Sequence, residues 1–312
     1  MPPVAFTLVQ LRYFVAAAEA GSMTGAAERL LIAQSAVSTA VSNLEHELGV
    51  QLFLRRRAKG LTPTPAGSRL LHEARKLLAH AREVADEAKG TGAELTGPVA
   101  LGCFITLAPF FLPALLTEFA DRCPGVEVSV LEAEVTELGR ALSEGRIDWA
   151  LTYDLGFGPE VQRETVATVP AHALVAAGHR LAGRKSVDLA ELAGEPLVLL
   201  DLPYSRDYFW SMVNATGTRP VVRHRTQSYE TVRSLVARGH GFSVLNQLPA
   251  TAQTYSGGEV VALPLSSAHT PLDLVLAQVA GVRQTRRARA LMDVVREVVP
   301  GAVPPSRAAG DR

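Results

Sequence analysis

The sequence has almost no cysteine, only Cys103 and Cys123 in 312 residues. Two such distant residues cannot build a disulfide framework and lack metal-ligand spacing, so both are expected as buried, reduced thiols. No apolar run reaches the roughly 18 residues that a membrane-crossing helix needs. The opening residues, MPPVAFTLVQLRYF, carry no basic stretch ahead of an apolar one and no small-residue cleavage site, so the expected compartment is the cytoplasm, with no membrane partner. Net charge is also missing, with 31 Lys and Arg against 31 Asp and Glu. Among the eight histidines there is no H-E-x-x-H, and neither a G-x-S-x-G elbow nor a P-loop occurs. An enzyme, a cofactor and a metal site are therefore not expected.

What is present is a chain that is 47% hydrophobic and 20% charged, enough to bury two or three cores. The zero net charge hides a local imbalance. Between Val50 and Lys76 there are seven basic residues, Arg55, Arg56, Arg57, Lys59, Arg69, Arg75 and Lys76, against one acid, Glu73, a local charge of +6. One basic stretch near the N-terminus of a neutral chain suggests an anionic polymer as that end's partner, although a solvated charged face is the simpler account of the run alone.

The preceding residues favour the polymer. Residues 7–48 read as three short helices. The first, LVQLRYFVAAAEAG, carries Leu8, Leu11, Phe14, Val15 and Ala18 at helical spacing; the second, MTGAAERLL, turns Ala26, Ala27, Leu30 and Leu31 inward. In the third, AQSAVSTAVSNLE, Val37, Ala40, Val41 and Leu44 share one face and Ser35, Ser38, Thr39 and Ser42 the opposite one. Two short helices joined by a tight turn, the second hydroxyl-lined on its outer side, make a helix-turn-helix sized for a major groove, although small helical hairpins also occur in proteins that never touch DNA.

The run FVAAAEAGSMTGAAERLLIAQSAVSTAVSNLEHELGVQLFLRRRAKGLTPTPAG resembles the N-terminal domain of the LysR-type transcriptional regulators, with the AAERL stretch, the AVS of the third helix, the NLE-x-ELGV-x-LF run and the closing LT and Gly in family order. The resemblance implies double-stranded DNA as partner and a winged domain over 1–65. In it Arg55, Arg56, Arg57 and Lys59 lie beside the duplex, while the face carrying Gln34, Ser35, Ser38, Thr39 and Ser42 enters the major groove. Two positions depart from the family pattern. Ala33, Gln34 and Ser35 stand where Ser-Gln-Pro is usual, which removes the N-cap hydroxyl, and Thr39 stands where a long basic side chain is common. Gln34 is left as the best base-edge partner.

Residues 66–90 change period. Leu70, Ala74, Leu77, Ala81, Val84 and Ala88 recur at alternating spacings of four and three, flanked by Leu71, Leu78 and Ala85, a seam of about three heptads that predicts a dimerisation helix. His72 and His80 sit two turns apart and are expected at the surface. The linker GTGAELTGP follows, and then strand-like and helix-like segments alternate to the end, which predicts parallel sheets with crossover helices. The segment SVDLAELAG is expected as a helix and the close of PGAVPPSRAAGDR, from Gly301 to Arg312, as a disordered tail.

The same resemblance extends over 91–300, through LEAEVTELGRALSEGRIDWALTYD and VRSLVARGHGFSVLNQLP. It implies an α/β effector domain of periplasmic-binding-protein type, with lobe one at 97–168 plus 265–299 and lobe two at 169–264, acting in a homodimer or homotetramer. A small molecule is then expected between the lobes. Thr106, Ser205 and Ser228 mark three helix starts, whose free amides would favour an anion such as a carboxylate if they converge, with Arg206 as a bidentate partner. Tyr153, Asp154, Asp207, Tyr229 and Asn246 stand at strand or helix ends where they would select the rest of the effector. Ordinary capping or core hydrogen bonding is the favoured account of most of these residues taken singly, while Thr106 and Ser228 stand where the resemblance implies effector contacts. The segment ALTYDLGFGPEV imitates a dinucleotide fingerprint, but Val161 and Pro159 break it, and a loop is expected. The expected function is a DNA-binding regulator answering to a small molecule. The alternatives are a redox-responsive regulator of the same architecture and a cytoplasmic small-molecule-binding protein without regulated DNA binding.

Overall fold

The computed structural model describes residues 6–56, 60–88, 95–217, 220–267 and 269–303. The N-terminal unit contains α1 (Leu8–Ala20), α2 (Met23–Leu30) and α3 (Gln34–Leu48), then an antiparallel hairpin of β1 (Phe53–Arg56) and β2 (Gly60–Pro63) that pairs Phe53 with Pro63 and Arg56 with Gly60. Thr7 and Gln10 form a capping box at the start of α1 and Ser22 caps α2. Leu11, Phe14, Ala26, Val37, Val41, Leu44, Leu52 and Phe53 close the core. Each of the Leu, Val and Phe side chains contributes about 1.5–3 kcal/mol by leaving water. The hairpin is tied to α3 by Glu45, whose Oε1 accepts from the Leu52 and Phe53 amides at 2.7 and 3.2 Å.

Leu31 differs from expectation. It ends α2 in the left-handed region at φ 55° and is 92% exposed rather than inward, because its amide closes on Glu28 and turns the side chain out.

Helix α4 (Pro65–Ala88) leaves the hairpin through a close approach: a Cβ on Gly67 would stand 2.1 Å from the Leu52 carbonyl oxygen. Its seam is divided. Ala74 is buried and Leu70, Leu71 and Leu78 pack partly against the N-terminal core, whereas Leu77 and Val84 are 43% and 53% exposed. His72, expected at the surface, is only 12% exposed, because it lies against Gly145 of the following unit. Arg75 donates both to the Glu19 carboxylate on α1 and to the Glu144 carbonyl, each at 3.2 Å, and so touches both neighbouring units.

The C-terminal unit has two sheets. The first has the order β4-β3-β5-β12-β6, from β3 (Gly97–Phe104), β4 (Val126–Ala133), β5 (Trp149–Tyr153), β6 (Val161–Val169) and β12 (Leu272–Val279). Strand β3 is parallel to β4 and β5, but β12 runs antiparallel to β5 and β6, so the sheet is mixed rather than parallel. Its helices are α5 (Ala108–Arg122), α6 (Val135–Ser143) and α9 (Arg286–Ala302). The second sheet is antiparallel, β10-β7-β11, from β7 (His172–Ala176), β10 (Ser243–Leu245) and β11 (Val260–Pro264), with a parallel pair β8 (Leu197–Leu200) and β9 (Val222–Thr226) joined to it by a Leu197–Phe242 bridge. Helices α7 (Ser205–Ala215) and α8 (Tyr229–Ala237) cover it. The chain passes between the sheets after β6 and again after β11.

Strands β6 and β11 carry no clear signal in the sequence; β6 is largely exposed and polar, since as an edge strand it buries little besides Val161 and Val169. The segment predicted as a helix at 186–194 makes one 3-10 turn, Leu189–Leu192, capped by Asp188 and Glu191 and too short to propagate. Helix α9 continues through Pro300 to Ala302, past the expected break, and residues 304–312 lie outside the described residues.

Candidate DNA-reading face and interlobe cleft

Helix α3 is held by Val37, Val41 and Leu44 and turns Gln34, Ser35, Thr39 and Ser42 to solvent, with Ser38 half-buried. Its first turn has no side-chain cap at Ala33, as the sequence indicated, and Gln34 Nε2 donates instead to Ser38 Oγ at 3.1 Å. The outer face is thus neutral and hydroxyl-rich. Only the backbone of Arg55 and Arg56 is described, at the tip of β1; Arg57 and Lys59 lie outside the described residues.

Between the two sheets of the C-terminal unit, five of the nine expected effector residues meet. Thr106, Tyr153, Ser205, Tyr229 and Asn246 line one narrow space with Gln247, Leu200, Phe209, Leu245 and Leu272. The space measures about 10 Å³. Contacts across it are polar and aromatic. Gln247 Nε2 donates to the Tyr153 hydroxyl at 3.0 Å, Tyr229 donates to the Gln247 carbonyl at 2.6 Å, and the rings of Phe110 and Tyr229 meet edge-on at 5.5 Å. Burial pushes the phenols of Tyr153, Tyr208 and Tyr229 up from their ordinary pKa, so they stay neutral.

The other four residues lie elsewhere. Arg206 pairs with Asp201 and Asp207, each at 3.3 Å, and Asp154 pairs with Arg163 at 3.2 Å. Ser228 does cap α8, accepting from the Thr231 amide at 3.3 Å, but it borders a separate open groove with Glu230, Arg238 and Tyr255. Neither Thr106 nor Ser205 is a cap: α5 starts from Leu107, and α7 from Tyr204, which stands in positive φ at 61°. The three helix starts therefore do not converge as capped anion sites. Tyr204 instead lays its ring on Gly156, in the loop that imitated a dinucleotide fingerprint, where a Cβ would come within 2.7 Å of the ring. Sequence reasoning missed Gln247 and Tyr208; Gln247 follows Asn246 directly, and because β10 ends at Leu245 both neighbours reach the cleft.

Cys103 is fully buried in β3, and burial first, then Glu132, pushes its thiol pKa far up; the reactive thiolate is disfavoured there. Among the described residues no group of three or more His, Cys, Asp or Glu side chains is placed to hold a metal ion.

Residues 8–68 match the family described as bacterial regulatory helix-turn-helix protein, lysR family, and residues 92–300 match the LysR substrate binding domain. The probable hydrogen peroxide-inducible genes activator of Mycobacterium avium is 32% identical over 289 residues, 90% of this chain and 86% of that protein. Among solved structures, HinK, a LysR family transcriptional regulator from Pseudomonas aeruginosa, is 37% identical with a TM-score of 0.65, covering 95% of this chain and 99% of that one. A full-length OxyR variant from Pseudomonas aeruginosa is 27% identical with a TM-score of 0.75, covering 93% and 98%.

Proposed function

The chain belongs to the LysR family of bacterial transcriptional regulators, and from that premise we propose how its parts divide the work. Helix α3 is the recognition helix, and the observation that carries this is its outward set of Gln34, Ser35, Thr39 and Ser42 over an apolar footing. Hydroxyls hydrogen-bond several bases and specify none strongly, so this face positions the protein and discriminates moderately. Affinity comes from Arg55, Arg56, Arg57 and Lys59 on phosphates, and from two such domains acting on one duplex. The units are a winged helix-turn-helix over 1–65, a dimerisation helix over 66–90 and an effector domain over 91–300.

A small-molecule effector enters between the lobes and changes the DNA complex only as far as its affinities for two arrangements differ. Arg75, bonded to both α1 and the Glu144 carbonyl, supports a direct mechanical tie between the effector domain and the DNA-binding unit. The protein acts by binding rather than by catalysis, in the cytoplasm where the chromosome is; among the described residues no helix is long and apolar enough to cross a membrane. The buried, protonated state of Cys103 gives no support to a redox trigger.

Footprinting on the DNA upstream of its own gene tests the regulator, and a clean lane at saturating protein overturns it. Replacing Arg55, Arg56 and Arg57 by Ala is expected to lower the salt slope of log affinity by about 3 for each bound domain, near 0.9 for each phosphate contact, for all sequences alike. Ser35→Ala is expected to cost less. An unchanged slope removes the wing from the phosphates.

A further inference from the structure

We propose that the interlobe cleft takes an uncharged molecule carrying an N–H or O–H donor on a compact apolar body, and that Asn246 Oδ1 is the atom that reads the donor. The proposal rests on the chain being an effector-responsive regulator and names the class of effector.

Asn246 is 8% exposed. Its Nδ2 donates to the Val169 carbonyl at 3.3 Å and to the Tyr208 hydroxyl at 3.4 Å, and the Tyr208 hydroxyl is itself committed as a donor to the Thr270 carbonyl at 2.9 Å. These bonds fix which end of the amide is nitrogen. Oδ1 can only accept, and it finds no partner among the described residues. A buried acceptor left unmet loses its hydration without return, and a ligand donor recovers that loss. A carboxylate at the same place would set lone pairs against a lone pair.

The wall gives the same answer. Among the described residues that line it, none carries a charge: the polar members are hydroxyls and amides, and Leu200, Phe209, Leu245 and Leu272 are apolar. Arg206, the basic residue next to Ser205 in the chain, is held by Asp201 and Asp207, so an anion in the cleft would be buried without a counter-ion. A cation fares no better. Asp201 is also shared with Arg225 and Asp154 is paired with Arg163, and no carboxylate is among the described residues that line the space. At about 10 Å³ the space is smaller than a ligand, so entry requires the lobes to part and exchanges the Gln247–Tyr153 and Phe110–Tyr229 contacts for contacts with the guest. Occupancy and lobe angle are thereby linked.

The test is calorimetric titration of the full-length protein with probes of one ring size: benzamide and phenol as neutral donors, benzoate as an anion, benzylamine as a cation and methyl benzoate as a neutral molecule without a donor. The neutral donors are expected to bind at least roughly tenfold more tightly than each of the other three. Asn246→Ala is expected to erase the preference of benzamide over methyl benzoate; should that variant not fold, the ranking on the unaltered protein decides alone. Benzoate or benzylamine binding as tightly as benzamide overturns the proposal, as does failure of both neutral donors to bind. Footprinting the same preparation separates the two claims, since a retained footprint with the wrong ranking sinks only the effector class, while a missing footprint sinks the regulator.

Discussion

His172 makes stability depend on pH in a way that can be isolated. It opens β7, paired in register with Leu245 of β10 and Pro264 of β11, and is 5% exposed. Its Nε2 has no partner among the described residues, and burial pushes its pKa down to about 3 from 6.5. The folded state therefore refuses a proton that the unfolded chain accepts, so stability is complete above about pH 6.5 and is lost as pH falls towards 3. Each pH unit well inside that window costs about 1.36 kcal/mol, which gives about 2 kcal/mol between pH 7 and pH 5. The assay is denaturant unfolding of the full-length protein and of His172→Asn at both pH values, followed by the fluorescence of Trp149 and Trp210, one in each lobe. The variant carries its own constant packing loss, but its stability should fall by about 2 kcal/mol less between the two conditions. Identical pH dependence in the two would refute the burial argument.

Two further outcomes follow from the N-terminal half. Leu31→Asn is expected to stabilise the DNA-binding unit by about 1 kcal/mol, because Leu31 stands in positive φ while its side chain is almost wholly in water, and Asn tolerates that conformation better; a loss in urea unfolding would mean that the leucine packs on something. Leu77→Glu combined with Val84→Glu places charge on the exposed part of the α4 seam and should give a folded monomer in sedimentation with much weaker DNA binding; an unchanged dimer would move the interface elsewhere.

The helices of the N-terminal unit were legible because each has the right period and a chemical start or stop. Thr7, Ser22, Gly21 and Gly49 bound them where the sequence places such residues. The hydroxyl face of α3 was visible for the same reason, since its faces follow from spacing alone. The α4 seam was readable as a stripe, but which leucines face their own domain and which await a partner depends on where α1 lies, and that is not a property of the helix.

The effector half shows the boundary more sharply. Alternation of strands and helices was enough for an α/β fold in two units, yet the antiparallel insertion of β12 and the edge strand β6 join segments more than a hundred residues apart, with little local pattern to mark them. In the cleft, residue type and proximity to strand ends located Thr106, Tyr153, Ser205, Tyr229 and Asn246. Partner choice decided the rest. Arg206 read as an anion clamp, but in the fold its guanidinium turns onto Asp201 and Asp207, and Asn246 Oδ1 became an open acceptor only when Val169, Tyr208 and Thr270 were brought together to orient its amide. Spacing along the chain fixes which face a side chain takes on its own element. Whether its charge or hydrogen bond is already spent depends on where side chains turn once folded, near in sequence for Arg206 and distant for Asn246, and only the tertiary structure decides that.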